Sequence, residues 1–431
     1  MEAVKILPSH IQGKVCAPAS KSYGHRLLIC AALSDRPIVI RGLGDCDDIR
    51  ATIGCLRSLG AKIETSGSDT SVTPIDFAQN CTVVRELFCG ESGSTARFLL
   101  PVAAALGGDY IFSGSGRLPE RPMKPMTDLF SEHGISADSD HLPMHISGKL
   151  SGDDFLIDGS LSSQFTSGLL FALSLLDGVH TLKVSGQIQS KDYVEMTLDV
   201  LSKFGIQPKR CERAFIIENK AKSARLSARS SIYDVEGDWS AAAFWLVAGA
   251  IGAGDISVSS LSPTSIQGDR AVLSALREFG AVITTNADGS ISAKPGGRLH
   301  NAVIECQNIP DLVPALAVVA AYADGVSRFD GISRLRIKES DRVAAVISML
   351  EAFGIAARAD SDSLYVIGGH PHGGVVNSFS DHRIAMSAAI CALAATGETS
   401  ITDPGCVGKS YENFWKDLSE LSGGKTGYVL R

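Results

Sequence analysis

The chain lacks any apolar run long enough to cross a bilayer. Its longest, such as Ala241 to Ile251 and Leu312 to Tyr322, fall well short of the roughly 20 residues a span requires. The opening MEAVKILPSH has no basic segment leading into an apolar core, and it is not Arg/Ser-rich as an organelle address would be, so a cytoplasmic location is expected. Among ten cysteines there is no Cys-x-x-Cys and no histidine at zinc spacing, which argues for reduced thiols and against a structural metal. A basic excess is missing too. The net charge of −7 argues against a nucleic-acid surface, so an anionic ligand has to be met by local positive charge. What is present is enough for sizeable cores: 431 residues, 45% of them apolar, a length expected to form about two domains or more.

The stretch CGESGSTAR, Cys89 to Arg97, sets glycines, hydroxyls and an arginine directly ahead of the apolar run Phe98 to Leu106. Glycine lets a backbone approach a ligand closely, Ser94 is expected to cap the helix, and the first free N–H groups of that helix face whatever lies ahead. This is a place for an anion, although a single stretch of this kind is also compatible with an ordinary cap.

A search for internal repeats changes the weighing. An amphipathic helix ending in glycine, followed by a short β-branched segment, recurs as CLRSLGAKI, LFSEHGISA, LSKFGIQPK, LREFGAVIT and LEAFGIAAR. Their glycines, Gly60, Gly134, Gly205, Gly280 and Gly354, are spaced by 71 to 75 residues, and a weaker sixth copy ends near Gly423. Each reads as the left-handed residue that releases a helix into a strand. Between them lie helices that are apolar nearly all round and therefore buried: KSYGHRLLICAAL, GSTARFLLPVAAAL, SSQFTSGLLFALSLL, DWSAAAFWLVAGAI, IPDLVPALAVVAAY and DHRIAMSAAICALAA. Strand-like stretches such as HTLKVSG and GDISVSS follow them. Each unit reads as buried helix, strand, amphipathic helix, two strands, and the linker-like residues 228–238 divide six units into two sets of three. A domain boundary is placed near 235.

The starts of the buried helices carry different ionisable groups: Lys21 and Arg26, Arg97, Asp311, His382 and Arg383. Elsewhere, Arg121 and Lys124 fall in RLPERPMK, Arg336, Lys338, Glu339 and Arg342 in LRIKESDR, and Lys409 in DPGCVGKS. A cation at a helix N-terminus works against the dipole, so several of them point to a bound polyanion. Two other readings fail. GCVGKS lacks the first glycine of a P-loop, since Asp403 stands there, and His382 has no second ligand at i+3 or i+4. A hydrogen-bonding or phosphate-contacting role suits His382 better.

At these residues the chain resembles the EPSP synthase family of enolpyruvyl transferases over essentially its full length. The motifs ASKSYGHR, GESGSTAR, RLPERPMKP, SSQFTSGLL, QSKDYVEMTL, VEGDWSAAAF, IPDLVPALA, LRIKESDR, DHRIAMS and DPGCVGKS occur in the family's order. The resemblance implies an α/β fold of two lobes, each of three βαβαββ units, with residues 1–19 joining 236–431 in the C-terminal lobe, 20–235 forming the N-terminal lobe, and the active site in the cleft between them. It implies transfer of the enolpyruvyl group of phosphoenolpyruvate to the 5-hydroxyl of shikimate 3-phosphate, releasing phosphate, in the route to chorismate and the aromatic amino acids. No cofactor and no metal are implied, and a monomer is expected, with no nucleic-acid or membrane partner. C3 of the donor has to be protonated as the hydroxyl attacks C2, and the tetrahedral intermediate then loses a proton and phosphate. The site therefore needs an acid, a base and much positive charge.

The same resemblance implies roles position by position. Lys21 touches both substrates, and Ser22 and Arg26 hold the shikimate ring. Ser162, Ser163 and Gln164 cradle its phosphate with Ser190 and Tyr193, and Lys338 belongs with them. Gly93, Arg121, Gln164, Arg342, Arg383, Lys409 and Lys21 form the phosphoenolpyruvate pocket. Asp311 orients and deprotonates the 5-hydroxyl and also contacts shikimate 3-phosphate, while Glu339 and Lys21 are placed for proton transfer at C3, the division of protons among the three being open. Glu91-Ser92 stands where many relatives have Asn-Ala, and Arg334 where some have an Asn that contacts shikimate 3-phosphate. Gly93 is small, as in members whose donor site admits glyphosate, so glyphosate inhibition is expected. The nearest alternative is a UDP-N-acetylglucosamine enolpyruvyltransferase, but RLPERPMKP lacks the loop cysteine that enzyme usually carries, and SSQF and KESDR favour the shikimate acceptor.

Overall fold

A computed structural model of the chain describes residues 2–77, 83–219, 225–425 and 428–430; Cys81 lies outside them. Its helices alternate between two kinds. Those apolar all round are α1 (Lys21–Ala32), α3 (Gly93–Leu106), α5 (Ser163–Leu173), α7 (Trp239–Ala250), α9 (Val313–Ala321) and α11 (His382–Ala394), and nearly all their residues are buried. Between them lie α2 (Asp47–Ser58), α4 (Lys124–Glu132), α6 (Lys191–Lys203), α8 (Val272–Glu278), α10 (Arg342–Ala352) and α12 (Phe414–Leu421), most of which bury a single stripe. In α12, Phe414, Leu418 and Leu421 sit at the helical spacing that puts them on one face. The six glycines after the second kind, Gly60, Gly134, Gly205, Gly280, Gly354 and Gly423, all adopt φ between +63° and +107°. They end these helices as the repeat spacing requires.

Among the described residues, six four-stranded sheets complete the six βαβαββ units. In the third, strand 154–158 runs parallel to 178–185, which pairs antiparallel with 214–219, which pairs antiparallel with 209–211. The other sheets repeat this order, and two of the contacts that build them are exchanged along the chain. Strand Ile11–Cys16, just ahead of α1 in sequence, pairs in parallel with Gly254–Ser259, whereas Ile232–Asp234, just ahead of α7, pairs in parallel with Ile38–Arg41. The first strand, Ala3–Ile6, lies between Thr399–Thr402 and Tyr428–Leu430. The exchange is why the chain divides into Met1–Pro18 with Glu236–Arg431 as one compact unit and Ala19–Val235 as the other.

Each unit has its own core. In one, α3 and α5 pack closely because Gly168 of α5 sits on the backbone of α3: a Cβ there would fall inside the radius of the Arg97 carbonyl oxygen and 2.9 Å from Pro101 Cγ. Phe98 and Phe171 meet edge-on across the same contact, ring centroids 5.6 Å apart. In the other, Trp245 stacks on Phe414 at 5.2 Å and donates its indole N–H to Tyr411 Oη at 3.1 Å. Because two helix backbones cannot easily part, Gly168→Ala is expected to destabilise the protein by about 1–3 kcal/mol or more in urea unfolding. A change below about 0.5 kcal/mol would show that the helices separate freely.

Candidate active site

Five of the six buried helices open with a side-chain cap. Ser20 accepts from Tyr23 N, Ser92 from Thr95 N, Ser162 from Gln164 N, Asp238 from Ala241 N and Asp381 from Arg383 N. Ser92 rather than Ser94 caps α3, because the helix already starts at Gly93. Ser94 is thereby released to accept from Gln164 Nε2 at 2.9 Å. The exception is α9. It is entered through the 3₁₀ turn Pro310–Leu312 without a side-chain cap, and Asp311 faces cations instead.

Within the unit 19–235, the helix starts are tied together by polar side chains. Lys21 Nζ lies 2.8 Å from Asp48 Oδ2 of α2. A buried chain of hydrogen bonds runs from His25 Nδ1 to Thr52 Oγ1 (2.7 Å), Thr95 Oγ1 (2.7 Å) and Ser92 Oγ (2.7 Å), linking α1 through α2 to the start of α3. Burial, only partly opposed by Asp48, lowers His25 to about 3, so it is neutral and serves as a strut. Gln164 joins α5 to α3, accepting from Arg97 Nη1 at 2.8 Å as it donates to Ser94. Arg121 brings its guanidinium to Gly93, where a Cβ would stand 3.0 Å from Nη1.

Arg26 lies between α1 and α6. It is buried, and its guanidinium donates to Thr197 Oγ1 (2.9 Å), Ser22 O (2.7 Å) and Tyr193 O (2.7 Å), bracing α1 against α6. Burial lowers it to about 10. Ser190 and Tyr193 lie at the start of α6, with Ser190 buried in a left-handed conformation. Glu91 lays its carboxylate over Gly116, which has no Cβ to obstruct it.

Within the other unit, charge converges on Asp311. Its carboxylate lies 2.9 Å from Arg342 Nη1, 3.4 Å from Lys338 Nζ and 3.4 Å from Arg383 Nη2, and its carbonyl accepts from Arg383 Nη1 at 3.1 Å. Burial works against its charge, but Arg383, Lys338 and Arg342 outweigh this and hold it well below the usual carboxylate range. Burial in turn lowers Lys338 to about 8 in spite of Asp311 and Glu339. Arg342, fully buried at the start of α10, also pairs with Glu339 Oε2 (2.7 Å) and with Asp381 (2.9 and 3.2 Å). Burial alone would lower its pKa, yet these three carboxylates raise it above the ordinary arginine value. Lys409, also buried, ends the 3₁₀ turn Pro404–Lys409 that packs on α11.

The structure thus gathers Lys21, Ser22, Gly93, Arg121, Ser162, Ser163 and Gln164 around helix starts in one unit, and Asp311, Lys338, Glu339, Arg342, Arg383 and Lys409 in the other. Lys124 and Arg336 turn elsewhere, Lys124 to Asp128 at 2.7 Å and Arg336 to the Asp360 carbonyl at 2.8 Å. Arg334 donates to the Gln307 carbonyl at 3.1 Å. Sequence reasoning passed over Asp48 and Asp381, which hold Lys21 and Arg342; the only local signal was an acidic residue at a helix start. Among the described residues no group of His, Cys, Asp and Glu is arranged to hold a metal, and no helix is long and apolar enough to cross a membrane. Chemically, these two sets can hold anions and offer an ionised carboxylate as proton acceptor.

Repeated βαβαββ units whose buried helices begin in polar and charged side chains define the class of an enolpyruvyl transferase. The chain belongs to the EPSP synthase (3-phosphoshikimate 1-carboxyvinyltransferase) family, whose profile matches residues 7–418. It is 38% identical over 430 residues to the 3-phosphoshikimate 1-carboxyvinyltransferase of Clostridium acetobutylicum and 39% over 428 residues to that of Clostridium kluyveri, with 98% of each chain covered in both cases. Its fold matches an EPSP synthase of Acinetobacter baumannii over the full length of both chains (TM-score 0.81, 24% identity). It also matches the enolpyruvyl transferase NikO of Streptomyces tendae over 97% of each (TM-score 0.75, 19% identity).

Removing Asp381 would take from buried Arg342 two charge-assisted hydrogen bonds and leave α11 without its cap. Asp381→Ala is therefore expected to lower stability by about 3–5 kcal/mol in denaturant unfolding. A loss under about 1 kcal/mol would mean that Arg342 does not depend on it.

Proposed function

We propose that the protein transfers the enolpyruvyl group of phosphoenolpyruvate to the 5-hydroxyl of shikimate 3-phosphate, releasing phosphate through a tetrahedral addition-elimination intermediate. The observation that carries this reading is the start of α9, where neither Ile309 nor Leu312 supplies a side-chain cap and Asp311, in the turn between them, stands ionised among Arg342, Lys338 and Arg383. An ionised carboxylate so held suits the removal of a hydroxyl proton next to bound anions. The enzyme is taken to be a cytoplasmic monomer.

Ser162, Ser163 and Gln164 at the start of α5, with Ser190, Tyr193, Lys338 and Ser22, are assigned to shikimate 3-phosphate. Ser162 and Ser163 supply hydroxyls where the free N–H groups of α5 point outward, which suits a phosphate. Arg26 supports that end of the site by holding Ser22 and Tyr193 in place. Lys21, Gly93, Arg121, Gln164, Arg342, Arg383 and Lys409 are assigned to phosphoenolpyruvate. Asp311 is assigned the proton of the 5-hydroxyl as oxygen attacks C2, and Glu339 and Lys21 are assigned the proton given to C3 and the one later removed. Glu339 is paired with Arg342, so its charge can change without leaving the arginine unpaired, because Asp311 and Asp381 remain.

Phosphate release decides the reaction. It is expected with phosphoenolpyruvate plus shikimate 3-phosphate and not with phosphoenolpyruvate plus UDP-N-acetylglucosamine; activity only with the second pair would overturn the assignment. Asp311→Ala is expected to keep shikimate 3-phosphate binding in calorimetry while kcat falls by about 100-fold or more, in line with the loss of a general base. Unchanged turnover would remove Asp311 from the mechanism.

The approach of Arg121 to Gly93 supports a compact donor site that admits glyphosate in competition with phosphoenolpyruvate. Gly93→Ala, with its methyl 3.0 Å from Arg121 Nη1, is expected to push the guanidinium aside and raise both the inhibition constant and the KM for phosphoenolpyruvate. A wild-type enzyme indifferent to millimolar glyphosate at low phosphoenolpyruvate would contradict this.

A further inference from the structure

Asp269 lies in the 3₁₀ turn Gly268–Ala271 that leads into α8, and it is buried, with 3% of its surface exposed. The Ser240 hydroxyl donates to its Oδ2, while Oδ1 has no hydrogen-bond partner among the described residues. The charged groups that act on it are Asp311 from the turn before α9, Arg383 from α11 and Asp238 from the start of α7. From α8 the inward side chains are apolar: Val272, Ala275 and Leu276. A carboxylate with one neutral donor, one unpaired oxygen and a second carboxylate nearby is a poor holder of negative charge. Burial first, and Asp311 second, raise it to about 7, against Arg383 and Ser240, which favour its ionised form.

We propose that Asp269 is a positioning residue for Asp311, a buried carboxyl group whose gain or loss of a proton sets how strongly Asp311 attracts the proton of the acceptor hydroxyl. This rests on the reading of Asp311 as the base. Ionised Asp269 adds a second negative charge beside Asp311 and raises its proton affinity; protonated Asp269 withdraws that charge. Asp269 makes and breaks no bond to substrate.

The test is the pH dependence of kcat between pH 5.5 and 8.5. The wild-type enzyme is expected to show an inflection near 7, with the faster limb on the alkaline side. Asp269→Asn should lose that inflection and run at the acid-limb rate throughout, reducing kcat at pH 8 by roughly three- to tenfold. Ser240→Ala, which removes the donor that favours the ionised form, should move the inflection to higher pH. A second readout is independent of turnover. The folded-state value of Asp269 lies above its unfolded value of 3.8, so its contribution to stability is full below about 4 and is lost as pH rises through about 7. The Tm of Asp269→Asn should therefore gain on that of wild type between pH 5 and pH 8. An inflection retained in Asp269→Asn, or a Tm difference identical at both pH values, overturns the proposal. Should the wild type release no phosphate at all, the proposed reaction falls, and the Tm comparison still decides the state of Asp269.

Discussion

A helix that is apolar all round has only its two ends with which to meet anything polar, and this constraint shapes the whole chain. Among the described residues six such helices are buried, three in each unit, so their flanks are committed to packing and their variety is confined to their first turns. The flanks have become nearly interchangeable, as the closeness of α3 and α5 at Gly168 illustrates. The first turns have not. Five carry a capping hydroxyl or carboxylate, and the sixth is entered through the turn Pro310–Leu312, which carries Asp311.

Electrostatics follows from that arrangement. Free N–H groups and arginines at the same helix starts repel one another until an anion or a carboxylate intervenes. In the unit built around α7, α9 and α11, the protein supplies its own carboxylates, and Arg342 binds three of them. In the unit built around α1, α3 and α5, Asp48 compensates Lys21 at 2.8 Å. The proposed phosphorylated substrates would add negative charge at the same helix starts. Asp269 then occupies the opposite situation, a carboxyl with too little positive charge beside it.

The repeat was legible in the sequence because its signals are local: a glycine that needs positive φ, a helix with one apolar stripe, a helix with none. Gly60 to Gly354 declared the period, and the βαβαββ order followed from it. What was not legible depends on choices between equivalent local options. Nothing within Ile11–Cys16 or Ile232–Asp234 tells which parallel neighbour each strand will join, so their exchange had to come from family resemblance or from structure. Ser92 and Ser94 are equally good caps by composition, and a shift of two residues in the helix start decided between them. Arg26 and Lys124 are both basic residues near a helix start; one is drawn inward by the carbonyls of Ser22 and Tyr193, the other outward by Asp128. Such outcomes depend on partners far apart in sequence.

In the proposed reaction the buried helix starts hold a phosphorylated acceptor. Thermal unfolding measured with shikimate 3-phosphate, and in parallel with shikimate, tests this most directly. At about 100 times its dissociation constant, shikimate 3-phosphate should stabilise the protein by about 2.7 kcal/mol, and unphosphorylated shikimate at the same concentration should do little. Equal effects of the two compounds, or no effect of either at millimolar concentration, would contradict it.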